Sequence, residues 1–244
     1  MSILVLQHSA DGGPGRLARV LVDYGHRLRV LRSDRGDEYP PDLDAVDGVI
    51  VLGGQENVRD AAATPWMSRE IALLRDAHSA GLPVIGICLG SQMLATALGG
   101  EVGPLENGAT EIGFRRIRLS FPGTIETIFA GVPWSSMQFH WHRYQVTKLP
   151  PEATPLATSE LCAHQAWRVG LRTFGFQFHF ELESDMIQQW GERYADELRS
   201  AGIGREAYAR DLENWYAEFD RLSTRLCRSL TEYVLPPRQR LAAS

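Results

Sequence analysis

The stretch Pro83-Val84-Ile85-Gly86-Ile87-Cys88-Leu89-Gly90-Ser91-Gln92-Met93-Leu94-Ala95 constrains this chain more than any other. Val84 to Ile87 reads as a short buried strand. The residues after Cys88 read as a helix that runs to Leu98 and is stopped by Gly99-Gly100. Glycine two residues before and two after Cys88 gives G-x-C-x-G, the cysteine counterpart of the strained serine elbow of hydrolases. Glycines suit a sharp strand-to-helix turn because it brings backbones close and leaves little room for Cβ atoms. Such a turn sets the sulfur at a helix N-terminus, where exposed N–H groups and the dipole favour a thiolate and can receive an oxyanion. The competing reading is an inert cysteine buried in a βα turn, since free cysteine is among the most buried residue types. A base elsewhere in the chain decides between the two.

The remaining pattern supplies the sheet around this unit. Ile3 to Gln7 is a β-rich run ending at His8, followed by a glycine-containing loop. A helix then opens at Pro14, carries Leu17, Val20 and Leu21, and ends at Gly25. Leu28 to Leu31 and Val46 to Leu52 read as two further strands. The second ends at Gly53-Gly54-Gln55-Glu56, where a glycine pair either points N–H groups at a ligand or makes a tight βα turn. Thr64-Pro65-Trp66 opens a helix with a buried stripe of Trp66, Met67, Ile71 and Leu74. Alternating strands and helices predict a parallel sheet with helices on both faces and sites at the carboxyl ends of the strands. Beyond Gly100 the pattern changes to short strands. These are Ile112 to Leu119, Ser136 to Trp141, Tyr144 to Thr147, Pro155 to Thr158 and Cys162 to Val169, a small antiparallel excursion. Phe174 to Phe180 restores the main pattern. One helix is expected to carry Met186 or Ile187, Trp190, Tyr194 and Leu198. Another begins near Arg205 with a seam of Tyr208, Leu212, Trp215, Phe219, Leu222, Leu226, Leu230 and Tyr233. The expected organisation is a main domain over 1–202, a helical extension over 203–235 and a frayed tail over 236–244.

Composition narrows the function classes. A net charge of −5, with no basic run, argues against a nucleic-acid partner. Three scattered cysteines make neither a disulfide framework nor a zinc site. No apolar run approaches a membrane span, and the apolar N-terminus reads as a first strand and not a signal peptide. A reducing cytoplasm is the expected compartment. No phosphate-cradling motif or other nucleotide signature is present, and no cofactor is expected.

The base is found in Phe176-Gln177-Phe178-His179-Phe180-Glu181. Alternation puts the three phenylalanines on the packing side, and Gln177, His179 and Glu181 together on the other. A carboxylate two residues after a histidine on one face can hold the imidazole's tautomer, and the imidazole can then take a proton from a thiol. Taken alone, His179 reads better as a hydrogen-bonded histidine at a sheet end, with Glu181 opening the next helix. Paired with a cysteine at a strand-to-helix turn, it is a candidate base.

Together, G-I-C-L-G-S-Q, the upstream V-L-G-G-Q and the downstream G-F-Q-F-H-F-E resemble the motifs of class I (triad-type) glutamine amidotransferases. The chain is most similar to stand-alone members of that superfamily, kin to the amidotransferase domain of GMP synthase and to γ-glutamyl peptidases. The resemblance spans roughly Leu4 to Glu183 and implies a flavodoxin-like central sheet. Residue by residue it implies Cys88 as nucleophile, His179 as base, Glu181 as its orienter, and Gly54 with Leu89 as oxyanion donors. It also places Gly53, Gln92, His142 and Tyr144 at the substrate, with Gln92 near its α-amino-acid end.

The departures from the family pattern are local. Phe180 stands where the family usually has proline. His140-Trp141-His142-Arg143-Tyr144 resembles a family stretch ending His-Gly-Asp, so Arg143 replaces glycine and Tyr144 replaces aspartate. These changes point away from free glutamine and toward a larger acidic γ-glutamyl compound, with Arg143 as a cation for a carboxylate. His140 and His142 could form a metal pair, but no third ligand stands at a plausible spacing, and none is expected. The expected function is a cysteine-dependent amidohydrolase that cleaves a γ-glutamyl amide through a thioester on Cys88. A glutaminase subunit feeding a separate synthetase, and a non-enzymatic redox member of the same architecture, are the alternatives. A small-molecule substrate is expected, and a synthetase or a second copy of the chain is left open as a partner.

Overall fold

Every residue of β4 (Val84–Ile87) is buried, because β4 runs inside a nine-stranded sheet covered on both faces. The computed structural model describes residues 2–236 of the chain. β4 pairs in parallel with β3 (Val46–Val51) on one side and β11 (Thr173–Phe176) on the other. With β1 (Ser2–Gln7) and β2 (Leu28–Arg32) these strands form a parallel half in the order β2-β1-β3-β4-β11, the flavodoxin-like order. The sheet continues antiparallel through β10 (Ala166–Val169), β9 (Thr154–Thr158), β6 (Glu111–Leu119) and β7 (Ser135–His142). The antiparallel excursion is therefore larger than its short strands suggest, and it is continuous with the main sheet.

Period-two alternation divides the core. Ile3 and Val5 of β1 face α1 (Gly15–Asp23), where Leu17 and Leu21 pack with Leu226 and Leu230 near the C-terminus. Leu4 and Leu6 face α2 (Pro65–Ser79) and α3 (Leu89–Ala97), which contribute Met67, Leu74, Met93 and Leu94. Among the described residues no helix is long and apolar enough to cross a membrane.

Three local expectations differ from the structure, and two of its elements have no counterpart among them. β11 stops at Phe176 instead of reaching Phe180, because its partner β4 ends at Ile87, opposite Phe176, where the chain turns into α3. The chain beyond bends at Gln177 and Phe178 and crosses to β7, where the His179 N–H donates to Phe139 O at 2.8 Å. Cys162 to Gln165 is not strand. Ser159 closes a turn there, its hydroxyl accepting from the Cys162 N–H at 3.0 Å, and pairing resumes only at Ala166. The strand β5 (Glu101–Pro104) has no counterpart among the expected strands; it pairs with β8 (Tyr144–Lys148) as a separate two-stranded sheet. A single short turn, α4 (Phe121–Thr124), links β6 toward β7. The expected helix through Leu198 is two, α5 (Ser184–Arg193) and α6 (Ala195–Ser200). The break falls at Tyr194, whose hydroxyl donates to Asp11 at 2.6 Å and ties the corner to the β1–α1 loop.

The last helix, α7 (Arg205–Ser229), buries Phe219, Leu222 and Leu226 against α1, α5, β6 and β7 of its own chain. Trp215 is half-buried at the edge of that face, and Tyr233, expected in the seam, is 58% exposed instead. Among the described residues this face is covered by the chain's own elements. Of the expected tail, residues 237–244 lie outside the described residues.

Candidate active site

The backbone at Cys88 has φ +53° and ψ −110°, a conformation that L-residues rarely hold and that costs on the order of 1–3 kcal/mol. Two close approaches enforce it. A Cβ on Gly86 would lie 2.6 Å from the Gly90 carbonyl oxygen, and one on Gly90 would lie 2.1 Å from the carbonyl of Val51. Both glycines are thus required by packing between β4, β3 and the first turn of α3. The corner leaves Cys88 at the N-cap of α3, 5% exposed, with its own N–H donating to Phe176 O at 2.7 Å.

His179 and Glu181 reach the same place from the far end of β11. Glu181 Oε1 accepts from His179 Nδ1 at 2.7 Å, which fixes the tautomer and leaves Nε2 for the cavity. Burial opposes a charge on His179, but Glu181 and the Cys88 sulfur outweigh it and raise its pKa to about 10. The two candidate reactive groups meet over Gly53. A Cβ there would lie 2.9 Å from His179 Cε1 and 3.5 Å from Cys88 Cβ, so any side chain would displace the imidazole. Trp190 stands edge-on to the imidazole at 5.0 Å. The backbone carrying Glu181 is also held. The Arg16 N–H donates to Glu181 O at 2.8 Å, and the buried Arg16 guanidinium donates to Phe180 O at 2.9 Å and to Asp220 at 2.8 Å.

Gly54 and Leu89, the candidate oxyanion donors, stand against each other: a Cβ on Gly54 would lie 2.7 Å from Leu89 Cδ2. Among the described residues neither of their N–H groups has an acceptor in the protein. Both line a cavity of about 200 Å³ together with Cys88 and His179.

The other expected contacts fare unevenly. Tyr144 and Gln92 line the cavity, but Gln92 Nε2 donates to Tyr144 O at 3.1 Å and to Gln177 Oε1 at 3.2 Å, leaving its Oε1 for a ligand. His142 also lines it, yet Nδ1 donates to Tyr144 O at 3.0 Å and Nε2 lies 2.9 Å from Glu111. Both nitrogens face the protein, so His142 shapes the wall more than it offers a hydrogen bond. Arg143 is not a free cation. It pairs with Glu197 of α6 at 2.7 Å, and Trp141 Nε1 donates to the same carboxylate oxygen at 3.0 Å.

The missing third partner for His140 and His142 is Glu111, placed opposite His142 by the β6–β7 register. A separation of this size in sequence carries no signal, which is why the spacing suggests none. Glu111 is closed by Ser159 and Gln165, each donating at 2.6 Å, and it reads as the anion that anchors the wall. Burial opposes its charge, but His142, His140 and Ser159 outweigh it and hold the carboxyl at about 2, while burial pushes His140 to about 3. Sequence reasoning also missed His8, Trp141 and Tyr194, whose neighbours lie far off in the chain.

Residues 12–189 match the family described as glutamine amidotransferase class-I. The glutamine amidotransferase-like protein YfeJ of Salmonella typhimurium is 29% identical, covering 98% of this chain and 100% of its own. γ-Glutamyl peptidase 3 of Arabidopsis thaliana is 28% identical over 66% of this chain and 64% of that protein. The glutamine-hydrolysing GMP synthase subunit of Natronomonas pharaonis is 27% identical over 67% of this chain and 79% of that protein. Among solved structures, a glutamine amidotransferase from Methylobacillus flagellatus superposes with a TM-score of 0.86 at 31% identity, over 96% of this chain and 95% of that one. One from Thermotoga maritima gives 0.85 at 28% identity, over 97% and 99%.

Proposed function

The chain belongs to the class-I glutamine amidotransferase family, and from that premise we propose that it is a cysteine-dependent amidohydrolase acting on γ-glutamyl amides. The observation that carries the reading is Cys88 on a strained strand-to-helix corner, sharing one cavity with the 2.7 Å His179–Glu181 pair.

In this reading the Cys88 sulfur attacks the γ-carbonyl carbon, and the negative charge that develops on oxygen is received by the Gly54 and Leu89 N–H groups. His179, charged and oriented by Glu181, gives its proton to the departing amine, and a thioester remains on Cys88. Water then enters, His179 takes one of its protons, and attack on the thioester releases the γ-carboxylic acid and restores the thiolate–imidazolium pair. The net reaction consumes one amide and one water and yields one acid and one amine.

For the leaving group, aromatic walls favour something larger than ammonia. Trp141, Tyr144, Trp190 and Tyr194 all line the cavity, and the name of the plant relative, a γ-glutamyl peptidase, points the same way. Arg143, paired with Glu197, contributes to this by fixing Trp141 and not by binding a carboxylate. The second reading, a glutaminase subunit that delivers ammonia to a separate synthetase, is favoured by the resemblance to one component of a GMP synthase.

Two measurements on the purified protein test the proposal. A diazo-ketone glutamine analogue should attach at Cys88, read by mass spectrometry. The kcat/KM for γ-glutamyl peptides should exceed that for glutamine. No attachment at Cys88 would remove the nucleophile assignment, and glutamine turned over faster than every γ-glutamyl peptide would replace the first reading with the second.

A further inference from the structure

The Gly54 N–H and the Gly53 carbonyl belong to one peptide group, so whatever holds the carbonyl also aims the N–H. Gly53 O lies 3.1 Å from His8 Nδ1. A carbonyl only accepts, so Nδ1 carries the proton. The other ring nitrogen, Nε2, lies 2.9 Å from Glu70 Oε2. The second Glu70 oxygen accepts from the Ser33 hydroxyl and from Tyr39 OH, the latter at 2.9 Å. Trp66 stacks on the imidazole at 4.8 Å. His8 is 3% exposed and Glu70 is fully buried. Neither touches the cavity that holds Cys88.

Folding alone gives weak reason for such a group. A buried imidazole–carboxylate pair is often no better for stability than apolar residues of the same size. Burial opposes a charge on His8, yet the hydrogen bond and charge of Glu70, the Gly53 carbonyl and Glu56 outweigh it and raise its pKa. The ring is thereby kept as a donor on both sides. What it acts on is a Gly53-Gly54 link with no side chain to hold it, the kind of peptide group that can rotate and exchange the places of its N–H and C=O.

We propose that His8, anchored by Glu70, is a positioning residue that holds the Gly53 carbonyl away from the cavity and so keeps the Gly54 N–H aimed at the carbonyl oxygen of the substrate. The hydrogen bond to the carbonyl also polarises that peptide and strengthens its N–H as a donor. The inference rests on the oxyanion role given to Gly54 above.

His8→Asn and His8→Gln separate the two nitrogens. The amide nitrogen of asparagine reaches the place of Nδ1, whereas that of glutamine reaches the place of Nε2 and points at Glu70. Steady-state kinetics with a γ-glutamyl amide, on variants whose circular dichroism matches wild type, should show kcat largely retained in His8→Asn. In His8→Gln it should fall by on the order of 10²–10³, the loss of one oxyanion donor, with KM changed only a few-fold. Equal kcat in the two variants, or a loss carried by KM, overturns the inference while the wild-type enzyme still turns over. If the wild type neither turns over nor takes a diazo-ketone label at Cys88, the function reading has failed and this inference falls with it.

Discussion

The strain at Cys88 is a property of one residue and can be measured as one. Alanine at a positive φ keeps the strain and glycine relieves it, so Cys88→Gly should unfold at higher urea than Cys88→Ala, by a difference of about 1 kcal/mol. Both should lose all turnover and all labelling by a diazo-ketone analogue; activity retained by either removes Cys88 from the mechanism. On the proposed mechanism Glu181→Gln should cost less kcat than His179→Ala, because there the carboxylate orients the base and the base moves the proton. Equal and negligible losses would mean the pair is wrongly drawn. At this scale the chain announces itself well. Gly86, Gly90, Cys88, His179 and Glu181 are named by short local patterns, and the physical requirement of each is local: a missing Cβ, a rare φ, a two-residue alternation. His8 and Glu111 are not so named, because what they touch is set by sheet register and by packing between distant segments.

Among the elements, β11 and α7 show where local reading ends. The phenylalanine alternation continues to Phe180, and Phe176, Phe178 and Phe180 do pack as one ring cluster. The ladder nevertheless stops at Phe176, because β4 has already turned away, and a strand's length is a property of its neighbour. Likewise the apolar stripe of α7 is visible in the sequence but its landing place is not. It lies on α1, α5 and the β6–β7 pair, and its polar edge reaches Arg16 through Asp220 at 2.8 Å. Arg16 is fully buried, whereas the Asp220 side chain is 44% exposed and partly screened by water. Asp220→Ala should therefore cost about 1–3 kcal/mol in urea denaturation, as for one lost hydrogen bond to a charged group. It should also lower kcat, because Arg16 holds the backbone of Phe180. Unchanged stability and unchanged kcat would show that Arg16 needs no anion.

Three buried groups give the whole molecule a pH profile of stability. Glu111 is depressed from 4.5 to about 2, so its contribution is complete above 4.5 and is lost as pH falls through about 2. His140 is depressed from 6.5 to about 3 and stays neutral in the fold while the unfolded chain takes up a proton, so stability also falls between 6.5 and about 3. His179 is raised from 6.5 to about 10, so its contribution is complete below 6.5 and is lost as pH rises toward 10. The urea midpoint should peak near pH 6.5, and Glu111→Gln should flatten its acid limb below pH 4.5. A midpoint that keeps rising to pH 9 would contradict the His179 assignment. The Arg16–Asp220 bridge also orders events in time. During synthesis Cys88 and His179 leave the ribosome well before Asp220, so the nascent chain carries its thiol and its imidazole before the bracket behind Phe180 exists. On the proposed mechanism, competence should then arrive late, when α7 docks, and the unfinished chain carries Cys88 without a fixed partner for its sulfur.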